Sequence, residues 1–102
     1  MYKLEYLPAA KRDLAEIVRY IAHDLHNPQA ADQLAVDLVE AAERAARFPY
    51  SNAGYRLIRP LNFEYRRVVV HHYAIFYRVD EVQRKVIVVR VLYLKRNLEN
   101  VL

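Results

Sequence analysis

The stretch FEYRRVVVHHYAIFYRVDEVQRKVIVVRVLY, residues 63–93, contains three apolar runs separated by short polar segments. The runs are Phe63–Val70, Tyr73–Val79 and Lys85–Tyr93, and each is rich in β-branched and aromatic residues. Runs of this kind predict β-strands, with turns at His71-His72 and at Asp80–Arg84. Consecutive strands joined by tight turns pair antiparallel. The stretch therefore predicts a three-stranded antiparallel meander.

A short strand and a first helix are predicted at the start of the chain. Apolar and polar residues alternate over Tyr2–Leu7, which predicts a strand. Pro8 suits the first turn of a helix, because the N–H group that proline lacks has no helical partner there. This helix should end near Leu25, and its apolar face recurs at helical spacing through Leu14, Ile17, Val18 and Ile21.

A second helix is predicted directly after the first. Asn27 is expected to be its N-cap and Pro28 its first helical residue, and Pro49 should end it. The apolar stripe of this helix is narrow, since small residues dominate it: Ala31, Leu34, Ala35, Leu38, Ala41, Ala42 and Ala45. Because only about three residues join the two helices, we expect an antiparallel hairpin.

The order of these elements predicts a single α+β domain over residues 1–102. The helical hairpin should cover one face of a mostly antiparallel sheet and leave the other face open. Two further segments are expected, a brief extended one at Tyr55–Arg59 and a tail at Leu94–Leu102. Buried residues between hairpin and sheet should include Leu14, Ile17, Val18, Ile21, Leu34, Leu38, Ala41 and Ala45, with Ile75, Ile87 and Val89 opposite them.

The composition excludes several classes of site. The chain has no cysteine, so disulfides and thiolate metal sites are ruled out, and its single glycine rules out a glycine-rich phosphate loop. No apolar run approaches the roughly 20 residues of a membrane span, and the N-terminus lacks the apolar core of a signal peptide. We expect a cytoplasmic protein with no cofactor, no membrane partner and no small-molecule substrate.

Positive charge is concentrated in the second half of the chain. The residues from Gly54 onward carry a net +6, whereas the first 53 residues carry −2. This asymmetry predicts that the sheet half of the protein meets an anionic partner, either a nucleic acid or an acidic protein.

Arginines within the strands are the first candidates for chemistry. Arginine and lysine beside tyrosine bind a phosphodiester and stabilise its transition state, with tyrosine as a proton donor. Alternatively, an arginine among apolar strand neighbours lies at a sheet edge or pairs with a carboxylate. If the protein is a nuclease, the catalytic residues should be Arg66, Arg78, Arg90, Arg96 and Tyr93. The pair His71-His72 is interpreted as a turn, because successive strand residues point to opposite faces and chelate poorly; no metal site is predicted.

Four segments resemble one known family. They are the helix start Pro8–Leu14 (Pro-Ala-Ala-x-x-Asp-Leu), the helix stop Arg47-Phe48-Pro49, the strand pair Tyr65–Asp80 and the ending Val86–Leu102. Together they resemble the RelE/ParE superfamily of type II toxin–antitoxin toxins, and they are more similar to its ParE-type members. The resemblance implies a small toxin, associated with growth inhibition and plasmid stabilisation, that a cognate antitoxin neutralises.

The resemblance implies two possible targets. RelE-type members cleave mRNA on the ribosome with basic residues and a tyrosine, but this chain matches only two basic positions, Arg66 and Arg96. Val68 and Ala74 stand where further basic residues are expected, and the chain ends in the apolar pair Val101-Leu102 instead of a tyrosine. ParE-type members instead block DNA gyrase without cutting nucleic acid. Gyrase is therefore the favoured target, mRNA on the ribosome the alternative, and an inactive antitoxin-binding member the second alternative.

The tail is expected to bind a partner. Leu98, Val101 and Leu102 recur at helical spacing and need cover, which an acidic antitoxin would provide by lying across the open sheet face and the hairpin groove. The residues predicted to bind the target or the antitoxin are Lys95, Arg96, Leu98, Val101 and Leu102.

Overall fold

The computed structural model describes residues 2–52, 54–55 and 64–95, which form an α+β fold. A strand is followed by two helices and then by further strands, as the sequence predicts. A short π-helical turn (Tyr20–Asp24) extends the first helix. The other elements in chain order are β1 (Lys3–Tyr6), α1 (Pro8–Arg19), α2 (Pro28–Arg47), β2 (Gly54–Tyr55), β3 (Tyr65–Val70), β4 (Tyr73–Asp80) and β5 (Lys85–Tyr93).

The described strands form one mixed sheet in the order β1-β5-β4-β3-β2. Strands β3, β4 and β5 pair antiparallel, which confirms the predicted meander. Strand β1 is parallel to β5, with Leu4 opposite Val86. A parallel neighbour needs a long crossover, and the helical hairpin stands between β1 and the meander in the chain.

Both helices begin where the sequence predicts. Pro8 occupies the first turn of α1, and the side chain of Asn27 caps α2 by accepting a hydrogen bond from the backbone N–H of Ala30 at 3.1 Å. The end of the first helix differs from the prediction of a regular helix. The N–H of Leu25 donates to the carbonyl of Tyr20 at 3.1 Å, which makes the last turn π-helical and wider than an α-turn.

The main core lies between the helical hairpin and one sheet face, as predicted. The expected α2 residues Leu34, Leu38, Ala41 and Ala45 are buried there against sheet residues that include Ile75 and Tyr77. From the first helix, Leu14, Ile17 and Ile21 are half-buried and pack on the same cluster, and Val18 is also half-buried. The alanines of α2 lie within this cluster, where a narrow side-chain layer allows close packing.

Two predicted core residues point to the other face of the sheet. Val86 and Val88 face the helices, so Ile87, which lies between them, faces away because side chains alternate along a strand. Ile87 and Val89 instead join a second buried cluster with Ala74, Phe76 and Leu92, and Leu7, Tyr65 and Leu94 pack against it. The expectation that this second face is open is therefore wrong at these positions.

A β-bulge interrupts the alternation of β5. Tyr77 pairs with Val88, but the preceding residue Phe76 pairs with Arg90, so Val89 is an extra residue opposite the β4 strand. Beyond the bulge, Val91 faces the helices and Leu92 faces away. The alternation of the fourth predicted strand, residues 85–93, predicts a common face for Val86, Val88, Arg90 and Leu92; this is wrong, because the bulge breaks the period of two and places Leu92 on the opposite face from Val86 and Val88.

Several of the predicted segments and site residues lie outside the described residues. This applies to most of the predicted extended segment Tyr55–Arg59, and to Arg96, Leu98, Val101 and Leu102 in the tail. Within the described part of the chain, no helix has both the length and the apolar character that crossing a membrane requires.

Candidate functional site

Arg90, a predicted catalytic residue, is bound to a carboxylate on the first helix. Its Nε donates to Asp13 Oδ2 at 2.7 Å and its Nη2 donates to Asp13 Oδ1 at 3.0 Å. The side chain of Asp13 is only 9% exposed. The hydrogen bond from Asp13 and its negative charge raise the pKa of Arg90 above its usual value, against the opposing effect of burial. The arginine is therefore held as a charged partner of α1, which is one of the alternatives open from the sequence.

Asp13 also accepts a hydrogen bond from the backbone of β5. The last backbone bond from the N-terminal strand region is the N–H of Leu7 donating to the carbonyl of Val88 at 2.9 Å. Beyond it, the N–H of Val91 donates to Asp13 Oδ2 at 2.9 Å, so a side chain replaces the missing strand. Asp13 lies in the family-like segment Pro8–Leu14, but no role for it could be predicted from the sequence. The sequence feature that distinguishes Asp13 is its position directly before Leu14, which belongs to the apolar face of α1.

Arg66, on β3, fixes the segment that follows α2. Its Nη1 donates to the backbone carbonyl of Asn52 at 2.6 Å, and its Nη2 lies 2.9 Å from Glu64 Oε1. The guanidinium also lies over the ring of Tyr50, 4.9 Å from the ring centre. Buried Tyr77 supports the same segment, since its hydroxyl donates to the carbonyl of Pro49 at 2.7 Å. These contacts give Arg66 a structural role.

The other predicted site residues that the structure describes are Arg78, Tyr93 and Lys95, and each lies in different surroundings. Arg78 is half-buried on β4 opposite Ile87. Tyr93 is partly exposed at the end of β5, where its ring meets the ring of Tyr73 edge to face with centres 5.6 Å apart. Lys95 is exposed in the turn that follows. Since β4 separates Arg66 on β3 from Arg90 on β5, and each has its own partners, the structure does not bring these two arginines together as one group.

A groove of about 1080 Å³ lies at the end of the sheet where the helical hairpin turns. This groove could not be predicted from the sequence, because its walls come from distant segments: the first helix and its π-turn, the start of α2, the β3–β4 turn and the end of β5. The groove is lined by Asp13, Glu16, Ile17, Tyr20, Ile21, Leu25, Asn27, Ala30, Gln33, Leu34, Asp37, His71, His72, Tyr73, Val91 and Tyr93.

A histidine–carboxylate hydrogen bond ties the β3–β4 turn to α2 at the wall of this groove. His71 lies in the turn, as predicted, and its Nε2 is 2.8 Å from Asp37 Oδ2. Gln33 donates to the other oxygen of Asp37 at 2.9 Å. The hydrogen bond from His71, followed by that from Gln33, lowers the pKa of Asp37. Among the described residues, no group of three or more potential ligands is placed to hold a metal ion.

A second polar cluster joins the start of β1 to the β4–β5 turn. The hydroxyl of Tyr2 donates to Glu81 at 2.7 Å, and Tyr50 donates to the same carboxylate. Arg84 lies 4.2 Å from the centre of the Tyr2 ring and donates to its hydroxyl at 3.0 Å. The hydrogen bond to Glu81 raises the pKa of Tyr50 to about 12 and also raises that of Tyr2. Tyr2 therefore has a structural role, since it joins the start of the chain to the β4–β5 turn.

Comparisons with known proteins give a consistent result. The family model described as the ParE toxin of the type II toxin–antitoxin system parDE matches residues 4–98. Among curated proteins, none matches the chain. The fold is similar to that of a chain from the chromosomal ParDE toxin–antitoxin system of P. aeruginosa, with a TM-score of 0.75 and 20% identity, covering 93% of this chain and 98% of that one.

Two RelE-type structures share the fold less closely. A chain of the RelBE2 toxin–antitoxin complex of Mycobacterium tuberculosis has a TM-score of 0.62 and 23% identity, with 90% of this chain and 96% of that one covered. The isolated E. coli RelE toxin has a TM-score of 0.59 and 17% identity, with both chains covered completely. At these identities the structural likeness is evidence for the fold, and the family match is evidence for the group of proteins.

Proposed function

The chain belongs to the ParE toxin family of type II toxin–antitoxin systems, and from this premise we propose that it inhibits growth by acting on DNA gyrase. A cognate antitoxin neutralises it by binding the toxin directly. Both events take place in the cytoplasm. The chain acts on gyrase as a binding protein and cleaves no nucleic acid itself.

The observation that carries the choice of target is the engagement of Arg90 by Asp13. A nuclease built on Arg66, Arg78, Arg90, Arg96 and Tyr93 would need arginines whose donors are available to a phosphate. The Nε and Nη2 groups of Arg90 both donate to the buried carboxylate of Asp13 on α1, and Arg66 donates to the backbone carbonyl of Asn52. These contacts support a binding role in preference to phosphodiester cleavage.

The end of β5 is the proposed gyrase-binding region. Lys95 is exposed there, and Arg96 follows it in the sequence. Leu98, Val101 and Leu102 complete the proposed surface for gyrase or the antitoxin. Exposed basic residues attract an anionic partner over a long range and speed its association.

Purified proteins test this proposal directly. The chain, added to DNA gyrase with relaxed plasmid, should inhibit supercoiling, and Lys95→Ala with Arg96→Ala should weaken the inhibition. Lys85→Ala is the matched control, because Lys85 lies at the other end of β5, 3.3 Å from Glu5. Inhibition that Lys85→Ala weakens as much as the tail variants would contradict the proposed surface.

Expression in cells distinguishes the alternatives. Gyrase inhibition should induce the DNA-damage response and leave mRNA intact. Primer extension on total mRNA that revealed codon-phased cuts within minutes, abolished by Arg96→Ala, would identify an mRNA endoribonuclease of the RelE type. Unimpaired growth with neither signal, together with antitoxin binding, would identify an inactive member.

A further inference from the structure

The exposed side of α1 is basic. Ala10 and Asp13 on this helix are buried, whereas Lys11, Arg12 and Arg19 are exposed. Because an α-helix has 3.6 residues per turn, Arg12 and Arg19 lie about 20° apart around its axis, and Lys11 lies about 80° from Arg19. These three residues therefore share one side of the helix, and they form the basic face of α1.

The charge of this face is opposite to that of the half-chain in which it lies. Residues 1–53 carry a net −2. On α1, however, the carboxylate of Asp13 is almost fully buried and paired with Arg90, whereas that of Glu16 is exposed. The exposed side chains of α1 therefore carry a net +2. Counting charges along the sequence could not reveal this, because burial of Asp13 decides which charges reach the surface.

The cations of the basic face are available to a ligand. Within the part of the chain that the structure describes, no ion pair includes Lys11, Arg12 or Arg19. The strand arginines differ, since Arg90 donates to Asp13 and Arg66 donates to the backbone of the segment after α2. Positive charge in the strands thus supports the fold, while the charge of α1 faces solvent.

The chemistry of this face favours a polyanion over a folded protein. A protein interface gains most of its affinity from aromatic residues and arginines that fill pockets at its centre. All residues of α1 are described, and none is an exposed large apolar side chain. Pro8 and Ala15, which share the side of the basic residues, are exposed and small. Contacts to phosphates need only cations and hydrogen-bond donors, so they are possible without such an apolar anchor.

The spacing of the basic residues fits the backbone of duplex DNA. Arg12 and Arg19 are seven residues apart in the sequence. Seven residues of an α-helix span about 10 Å, and three successive phosphates of one DNA strand advance by about the same distance along the duplex. A helix is stiff, so it presents both cations to the backbone together. Contacts of this kind carry no base-sequence information.

We propose that the basic face of α1 binds the phosphate backbone of duplex DNA. The inference deepens the proposed function and rests on it for its setting, since DNA gyrase acts on duplex DNA. The chain contacts gyrase through the end of β5 and the DNA through α1. Two weak contacts to one gyrase–DNA complex strengthen each other, because the second forms at a high effective concentration.

Fluorescence anisotropy of a short labelled DNA duplex tests the proposal on the full chain. At about 0.1 M salt, Arg12→Ala or Arg19→Ala should weaken binding about fivefold to tenfold, and each should reduce the slope of log K against log salt by about one. Arg12→Lys keeps the charge and should keep most of the affinity. Arg47→Ala is the matched control, because it removes one exposed positive charge from α2, and it should leave binding nearly unchanged.

The same measurements can overturn the proposal. An equal loss in Arg47→Ala would show a general effect of net charge, and a polyglutamate that binds as tightly as the duplex would point to an acidic protein instead. Amide chemical shifts of the labelled chain should change at Lys11, Ala15 and Arg19 when the duplex is added, and changes confined to the strands would refute the assignment to α1.

The binding assay contains no gyrase, so the two proposals fail separately. Inhibition of supercoiling without duplex binding would refute the role of α1 and leave gyrase as the target. Duplex binding through α1 without inhibition would refute gyrase as the target and leave the DNA-binding face in place.

Discussion

Asp13 and Arg90, which are 77 positions apart in the sequence, form a two-point ion pair between α1 and the edge of β5. Asp13 also accepts the N–H of Val91, so a single carboxylate joins a helix to both the side chain and the backbone of the neighbouring strand. The presence of Arg90 in the middle of an apolar strand is therefore explained by its ion pair with Asp13. The nuclease hypothesis loses one of its candidate phosphate ligands.

Removing this carboxylate should be costly. Asp13→Leu leaves the guanidinium of Arg90 partly buried without its counter-charge, and we expect the free energy of unfolding to fall by about 3 kcal/mol. Urea denaturation measures this change. The double variant with Arg90→Leu should recover part of the loss, because it removes the uncompensated charge. A double variant less stable than Asp13→Leu alone would contradict this account, and Glu16→Gln should change stability by less than about 0.5 kcal/mol.

The packing of α2 on the sheet gives a second prediction. Leu38 is 1% exposed, so Leu38→Ala should cost about 2–5 kcal/mol through lost burial and a residual cavity. Val36 on the same helix is 49% exposed, and Val36→Ala should cost less than about 0.5 kcal/mol. Thermal or urea unfolding of both variants checks the contrast. Equal effects would show that this face of α2 is not the one that packs on the sheet.

The hydrogen-bonded contact between Asp37 and His71 gives a prediction for acid pH. The folded state lowers the pKa of Asp37 from its ordinary value of 3.8, so the pair contributes stability above that pH and loses it as the pH falls through the folded-state pKa. An NMR titration of the Asp37 carboxyl should show the lowered pKa. In His71→Gly, which suits the positive φ of 55° at that position, the pKa should return toward 3.8.

The control for this titration is Asp32→Asn. It alters an exposed carboxylate on the same helix and should leave both the pKa of Asp37 and the stability nearly unchanged. An Asp37 pKa that does not respond to the loss of His71 would mean that the pair is not formed in solution.

The hydrogen bonds from Tyr2 and Tyr50 to Glu81 predict how the stability of the fold changes at alkaline pH. The pKa of Tyr50 is raised to about 12, so its hydrogen bond contributes stability below pH 10.0 and the contribution is lost as the pH rises through about 12. Glu81→Gln should lower the pKa of Tyr50 toward 10.0, since the carboxylate is the main cause of the shift. NMR titration of labelled tyrosine rings measures this, with Tyr50→Phe to assign the resonance.

Glu5→Gln serves as the comparison for Glu81. Glu5 pairs with Lys85 and is not among the groups that shift Tyr50. Glu5→Gln should therefore leave the Tyr50 titration in place, and an equal fall in both variants would indicate a general effect of charge.

Local patterns in the sequence predicted the elements of this fold. The alternation of apolar residues in the meander, the helical spacing from Leu14 to Ile21, and the Asn27-Pro28 helix start each depend on neighbours within a few residues. Such preferences act wherever the segment lies, because backbone geometry and capping are local. The antiparallel meander, the hairpin and the main core followed from them, and so did the resemblance that the family match confirms.

Contacts between distant segments were decided only in the tertiary structure. The bulge at Val89 interrupts the alternation of β5, and the partner of Arg90 is a carboxylate on α1, 77 positions away in the sequence. The groove combines the π-turn, the start of α2 and the β3–β4 turn, which no sequence window contains together. Local preference determines what each segment becomes, whereas side-chain partners depend on which surfaces meet when the helices close over the sheet.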